Sequence, residues 1–525
     1  MGRQQEGSAF RSPPHIVALV AVFLGAIDLT VVATILPSMI SDLGINTADI
    51  DRYIWVVNSY LIAYVVSIPL VGRMADLVGV RAVFIAAMVV FMVGSSWCAT
   101  ADSLQDLVMA RAIQGFGGGA LLPIALAVVA QSFTGAHRAQ AVGAVGAVDT
   151  LGWVSGPAYG AFVASQLTFV DDPWRLVFWI NVPFALLLLP MARLLPSQDN
   201  DSTLLARLGN LPGKLDVPGF VLLTLFLVSI NMALASGGEI GATAGRGLRA
   251  FGGTPNPLAE RILLLLAVAA VALVVFAWRI RSGNDTFLPR RLLSNASYRA
   301  SLAANALLGT VLMTGMVNVP IMVALVESGA DPGVRSAVLL APFTLAIAIS
   351  SILAGRFLRR HSARSIVTIG LLLTVMGNLS VFPLLTFPDY RWMAIGLAVA
   401  GAGIGLALTP LSATALDSSA STSYGVAAAT LLVFRLLGMT VGISLLTSLG
   451  VQRLQVLTGA LEPVAQTEAE STAEFLLRQQ EYIVARAVPL GVQVVQETFV
   501  VAAILSGCAL IAARRLSRAA ALSPP

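Results

Sequence analysis

Residues 72–81 read Gly72-Arg73-Met74-Ala75-Asp76-Leu77-Val78-Gly79-Val80-Arg81. Two arginines and an aspartate are set among glycines, with an apolar run on either side, near 53–72 and near 81–100. About 20 apolar residues in a helix cross the hydrocarbon core of a bilayer. The stretch therefore reads as a tight polar turn between two membrane-spanning helices. Its glycines permit the turn, and Asp76 is placed to cap a helix end or to pair with an arginine across a seam.

Working outward, runs of spanning length recur near 17–39, 104–129, 139–164 and 174–194, then near 216–236 and 260–280. Six more fall near 298–324, 333–357, 364–386, 391–415, 423–450 and 490–513. The expectation is an all-α membrane protein with 14 transmembrane helices. Composition agrees: of 525 residues 57% are hydrophobic and 11% charged, against roughly 25% charged in soluble domains.

Arginine orients the helices. Arg3 and Arg11, Arg73 and Arg81, Arg138, then Arg193, Arg207 and Lys214 fall in alternate loops, as do Arg279 to Arg299, Arg356 to Arg364, and Arg514 to Arg518. The other loops carry acids such as Asp42, Asp49, Asp102, Asp171, Asp172, Glu327 and Asp331. The positive-inside rule then puts both termini in the cytoplasm of a multi-pass protein of the bacterial plasma (inner) membrane. The first fourteen residues read as a cytoplasmic tail, not a cleaved signal. Polar stretches rich in Pro and Gly divide the chain into a six-helix half at 1–200, a linker with two inserted helices at 201–290, and a second six-helix half at 291–525. The insert is expected to be peripheral.

Several functions are excluded. Lys214 is the sole lysine and is followed by Leu215, so there is no P-loop and no ATP hydrolysis through one. Cys98 and Cys508 sit in apolar runs, and His15, His137 and His361 are far apart, which implies no disulfide, no metal and no cofactor. Nothing points to nucleic acid or to enzyme chemistry.

The turn at 72–81 resembles the G-x-L-A-D-R-x-G-R-K loop of the major facilitator superfamily. The resemblance implies a conformational latch built on Gly72, Asp76, Gly79 and Arg81, which closes the two halves on the cytoplasmic side. Leu77 and Val80 depart from the basic pattern, and the equivalent loop of the second half has Arg359 at the acid's place, so a weaker latch is expected. Arg111-Ala112-Ile113-Gln114-Gly115-Phe116-Gly117 looks like that superfamily's R-x-x-Q-G-x-G motif. Gly152, Gly156, Pro157 and Gly160 resemble its antiporter motif, where small residues pack a helix closely and a proline bends it. Residues 26–37, 174–183 and 287–293 resemble the fourteen-helix drug:proton antiporter subfamily. Within it the chain is most similar to the mycobacterial triacylglyceride-exporting type, which works with a periplasmic lipoprotein.

Four charges stand alone in the spans: Asp28, Arg111, Asp149 and Arg435. At ~1.5 Å per residue, Asp28, Asp149 and Arg435 lie about 15–18 Å deep, near the midplane, with Arg111 closer to the periplasmic face. A charge in a span costs at least about 2.5 kcal/mol, so such residues face a cavity or a partner. Two readings follow: a neutralising ion-pair cluster, or proton coupling in which Asp28 and Asp149 take up protons and the arginines tune them.

Residues 451–489 are too many for a turn and carry apolar residues at helical spacing. They are expected to continue the last two spans as a periplasmic helical extension, with Glu468, Glu470, Glu474, Arg478, Glu481 and Arg486 on its wet side. The spans hold few polar groups, which implies an apolar central cavity open sideways to lipid. The function expected is a proton-coupled secondary exporter of lipophilic molecules, triacylglyceride-type lipids first. The rivals are a broad multidrug:proton antiporter and a membrane scaffold that transports nothing. The partners expected are a lipid or lipophilic drug, protons, and a periplasmic lipoprotein.

Overall fold

The computed structural model describes residues 12–43, 50–166, 172–197, 215–237, 261–282, 287–326, 332–384, 390–420, 423–459, 461 and 471–516. The N-terminal tail, Arg207, Lys214, the turn of the inserted pair, Asp49, Asp171, Glu327, Asp331, Glu468 and Glu470 lie outside the described residues. Every regular element among the described residues is helical. The long helices are α1 (Pro13–Asp42), α2 (Ile50–Val78), α3 (Val80–Ala99), α4 (Leu104–Ser132), α5 (Gly135–Gln166) and α6 (Pro173–Met191). Then come α7 (Val217–Gly237) and α8 (Ile262–Ser282). Last are α9 (Ala296–Val326), α10 (Pro332–Phe357), α11 (Ala363–Leu384), α12 (Tyr390–Asp417), α13 (Tyr424–Thr458) and α14 (Val488–Ala513).

Among the described residues 13 helices are long and apolar enough to cross a membrane. The other, α5, has 32 residues but dilutes its apolar content with glycine, Arg138 and Asp149. The expected all-α fold of fourteen helices is thus borne out. The turn at 72–81 is as tight as read: Gly79, at φ 105°, is the single residue between α2 and α3. That backbone region is open to glycine and strained for other residues.

Small residues set the packing. α4 is the most buried span, because Gly115, Gly117 and Gly119 let the backbones of Tyr60, Phe91 and Tyr64 come against it. On α5, Gly152 meets Ala26, Gly156 meets Thr30 and Gly160 meets Thr34 of α1. The same arrangement recurs between α13 and α9, where Gly438 meets Ala306 and Gly442 meets Thr310. Pairings α2–α4, α3–α4 and α3–α6 likewise recur as α10–α12, α11–α12 and α11–α14. Helices α1–α6 and α9–α14 thus form two similarly packed clusters, joined along α5–α10 and α2–α13.

The inserted pair sits at the edge of the bundle, its two spans the least buried among the described residues, and it is anchored there at a few points. α7 packs on both α2 and α13, and Thr440 of α13 donates a hydrogen bond to Asn231 of α7 at 2.9 Å. Asp216 ties the pair down. Its carboxylate accepts from the amides of Gly219 and Phe287, each at 2.9 Å, and from Arg279 Nε at 2.7 Å. One buried carboxylate thereby joins the start of α7, the end of α8 and the approach to α9. Burial works against the charged form of Asp216, but these donors outweigh it and hold the carboxyl below its usual range.

Of the residues expected to form the extension, 451–458 and 472–487 are helical among those described. α13 runs for 35 residues, about 52 Å, and a further helix, Thr472–Tyr482, leads through a π-helical turn at Ile483–Ala487 into α14. Ser471 and Glu474 form a reciprocal capping box at its start. Arg453 clamps Glu497 with two hydrogen bonds, 2.8 and 3.1 Å, between the two arms.

Candidate transport site

Asp28 of α1 is 1% exposed, and two helices around it, α4 and α6, supply it with three donors. Arg111 Nη1 reaches Asp28 Oδ2 at 2.9 Å. Gln114 Nε2 and Asn181 Nδ2 both donate to Oδ1, at 2.7 and 2.8 Å. Arg111 and Gln114 are three residues apart on α4 and so share a face, while Asn181 comes from α6. Ser95 of α3 accepts from both amides, at 2.7 and 2.9 Å, and Gln114 Oε1 accepts from Arg111 at 2.6 Å. The guanidinium lies 3.9 Å over the ring of Tyr60. A buried carboxylate thus gains a counter-charge and two amide donors, which lets it carry charge away from water. The depth count that set Arg111 apart from Asp28 ignored the reach of an arginine side chain; the two are bonded.

Asp149 and Arg435 form the second pair, at 3.1 Å. This pair joins α5 of one cluster to α13 of the other. Arg435 Nε is buried without a partner, so the guanidinium is only partly satisfied. Asp149 precedes Gly152 by three residues, and Arg435 precedes Gly438 by three, so the two occupy matching places in the two repeated packing motifs. The four charges read as lone in the sequence are two separate pairs.

On the arginine-rich face the clusters meet at the end of α2. Asp76 accepts from the amides of Gly425 and Val426 at 2.7 and 2.9 Å. These are unsatisfied donors at the start of α13, so Asp76 is a cap supplied by another helix. Gly72 lies against Gly425 and Ala429, which is why a side chain there would part the two helices. Arg81 does not join this seam. It donates to the carbonyls of Arg193 and Leu195, at 2.8 and 3.0 Å, closing the chain end that follows α6. The second tie on this face comes from Arg138, which pairs with Asp417 at 2.8 Å and stacks 5.1 Å from the ring centre of Tyr424.

The pattern of the Major Facilitator Superfamily matches residues 18–443. The chain belongs to the Major Facilitator Superfamily. Among its relatives, a probable triacylglyceride transporter of Mycobacterium leprae is 31% identical over 463 residues, covering 84% of each chain. A triacylglyceride transporter of Mycobacterium tuberculosis is 30% identical over 472 residues, covering 84% of this chain and 83% of its own. Two solved structures share the fold. The human organic anion transporter MFSD10 has a TM-score of 0.59 at 14% identity, with 94% and 99% of the two chains covered. The proton:xylose symporter XylE has 0.58 at 14%, with 96% of each covered. The chain is therefore a multi-pass membrane transporter of this superfamily and not an enzyme.

Within this Major Facilitator Superfamily chain, other motif residues sit where helices pack. Gly152, Gly156 and Gly160 pack α5 on α1 behind the two acids, and α5 remains helical through Pro157. On the face opposite the arginine-rich one, Trp174 Nε1 bonds Asp42 at 3.0 Å, and Arg175 reaches Asp172, Asp102 and the carbonyl of Ala101. Among the described residues no group of three His, Cys, Asp or Glu side chains could hold a metal. Gln114, Asn181, Ser95, Arg138, Asp417 and Asp216 were not singled out as site residues in the sequence. Their only signal is the motif in which each of the first two stands.

Proposed function

We propose that the protein is a proton-coupled secondary exporter that moves triacylglyceride-type lipids from the inner membrane toward the periplasm, with both termini cytoplasmic. The observation that carries the coupling is the pair of buried acid–arginine contacts, Asp28–Arg111 inside one cluster and Asp149–Arg435 across the two. Protonating Asp149 removes the attraction that ties α5 to α13 and leaves Arg435 buried and unpaired, a state that costs several kcal/mol unless the helices move. Protonating Asp28 does the same to Arg111. Each acid is thus a point where proton binding favours one arrangement of helices over another.

The lipid cargo is supported by the relatives named as triacylglyceride transporters. Releasing such a lipid into water costs about 0.8 kcal/mol for every CH₂ exposed, so export needs an apolar path and a receiver. The extension carries exposed Val456, Leu476, Leu477 and Val484, surface fit to guide acyl chains to a periplasmic lipoprotein. Asp76 and Arg138 act as the latch of the outward-open state.

The test uses reconstituted protein, a labelled triacylglyceride and an imposed pH gradient. Gradient-driven movement in the wild type, lost in Asp28→Asn and in Asp149→Asn at equal expression, supports the reading. Movement of cationic dyes alone makes the protein a multidrug antiporter. Movement of neither makes it a scaffold.

A further inference from the structure

Two tyrosines of α2 lie between the two acid–arginine pairs. Tyr60 and Tyr64 are four residues apart, a spacing that puts both on one helix face. Their rings are stacked, with centres 5.9 Å apart and planes 30° from parallel. Tyr60 is fully buried and Tyr64 nearly so. α4 fixes their place: Gly115 and Gly119 lie against the backbones of Tyr60 and Tyr64, where a side chain would push α2 away.

Each ring attends one pair. The Arg111 guanidinium sits 3.9 Å over the Tyr60 ring, and the Tyr60 hydroxyl stands beside Asp28 without closing a full hydrogen bond. Tyr64 lies within reach of the charges of Asp149 and Arg435 and packs in one core with Leu432 and Val433 of α13. Among the described residues, the charged and titratable groups facing Asp28 are Arg111 of α4, Tyr60 of α2, Cys98 of α3 and Tyr159 of α5. Those facing Asp149 are Arg435 of α13 and Tyr64 of α2.

A buried arginine that loses its carboxylate falls back on its other partners. For Arg111 the near ones are the Gln114 oxygen, at 2.6 Å, and the face of Tyr60. Gln114 shares α4 with Arg111 and so registers no movement between helices. Tyr60 belongs to α2, and a ring face attracts a cation more strongly where both are dry. Close packing leaves a stacked ring little room to shift without its neighbour. We propose that Tyr60 and Tyr64 couple the two proton sites, the charge state of Asp28 reaching Asp149 through Arg111, the stacked rings and Arg435. This rests on the proton-coupled reading above. It makes the tyrosines positioning residues, since neither carries the proton, and it makes the two acids titrate as a linked set.

The protonated carboxyl of Asp28 is followed by infrared spectroscopy of the full chain in liposomes, as the band that Asp28→Asn removes. Asp149→Asn should move the titration midpoint of that band by about one pH unit, a tenfold change in proton affinity. Tyr60→Phe keeps the ring face and should keep the shift. Tyr60→Met fills the space without a ring and should lose it, as should Tyr64→Met. No shift on Asp149→Asn in the otherwise native chain, a result that needs no tyrosine variant, overturns the proposal. So does a shift of full size in both methionine variants. Either outcome leaves proton coupling itself standing. An Asp28 carboxyl that takes no proton at any pH where the chain stays folded overturns the proton-coupled reading, and this proposal with it.

Discussion

Asp28 is held by three donors from two helices, and the three are not equivalent. Arg111 brings a charge, whereas Gln114 and Asn181 bring dipoles that they also share with Ser95. Asp28→Asn leaves the guanidinium buried without its counter-charge, so both transport and thermal stability should fall. Breaking a buried pair from one side costs about 3–5 kcal/mol, and thermal unfolding of the purified variant measures it. Asn181→Leu is gentler. It removes one bond to a charged acceptor, worth about 1.5–3 kcal/mol, or at least tenfold in an equilibrium. Gradient-driven transport should drop by about that factor and its pH profile should move, with KM for lipid unchanged. A profile identical to the wild type would show that Asn181 only fills space. The acids and arginines were legible because a charge inside an apolar run stands out. Asn181, Gln114 and Ser95 were not, because amides and hydroxyls are common in spans and only the packing decides which of them face the acid.

At the scale of the helix, the end of α2 and the start of α13 depend on each other. Asp76→Ala withdraws a cap worth about 1 kcal/mol, so the closed seam should lose about fivefold in population. Cysteines introduced at the α2 and α13 ends should then crosslink less readily, with α2 itself still folded. Full crosslinking would remove Asp76 from any latch. The inserted pair offers a pH test. Because the Asp216 carboxyl is held below its usual value of 3.8, its contribution is present above that value and is lost as pH falls through the lower, folded one. Asp216→Asn should therefore melt below the wild type at neutral pH, and the gap should close in acid. Helix existence was readable throughout because length and apolarity are properties of the sequence. The role of Arg81 was not, since the loop around it also suits the seam, and only the position of the chain after α6 draws the arginine away.

Over the whole molecule, the two clusters are tied at one face by Asp76 and Arg138 and in the interior by Asp149 with Arg435. The interior tie depends on opposite charge and not on which helix carries which sign. Asp149→Arg alone should abolish transport by setting two guanidiniums against each other, and so should Arg435→Asp. The double exchange should recover folding and part of the transport, measured in the same liposomes. No recovery would mean that the local surroundings of each residue matter more than the bond between them. Removing residues 462–470 tests the extension at this scale: folding should be spared and lipid export in cells should collapse.

The matching places of Asp149 and Arg435 also carry a record of ancestry. Each stands three residues ahead of the first glycine in a packing motif that the chain uses twice, Gly152 on Ala26 and Gly438 on Ala306. A chain made of two identical copies would put the same residue at both places, and two like charges facing each other would push the copies apart. The attraction at the centre of this molecule therefore belongs to a time after the copies had begun to differ. It is a bond that a perfectly symmetric forebear could not have made.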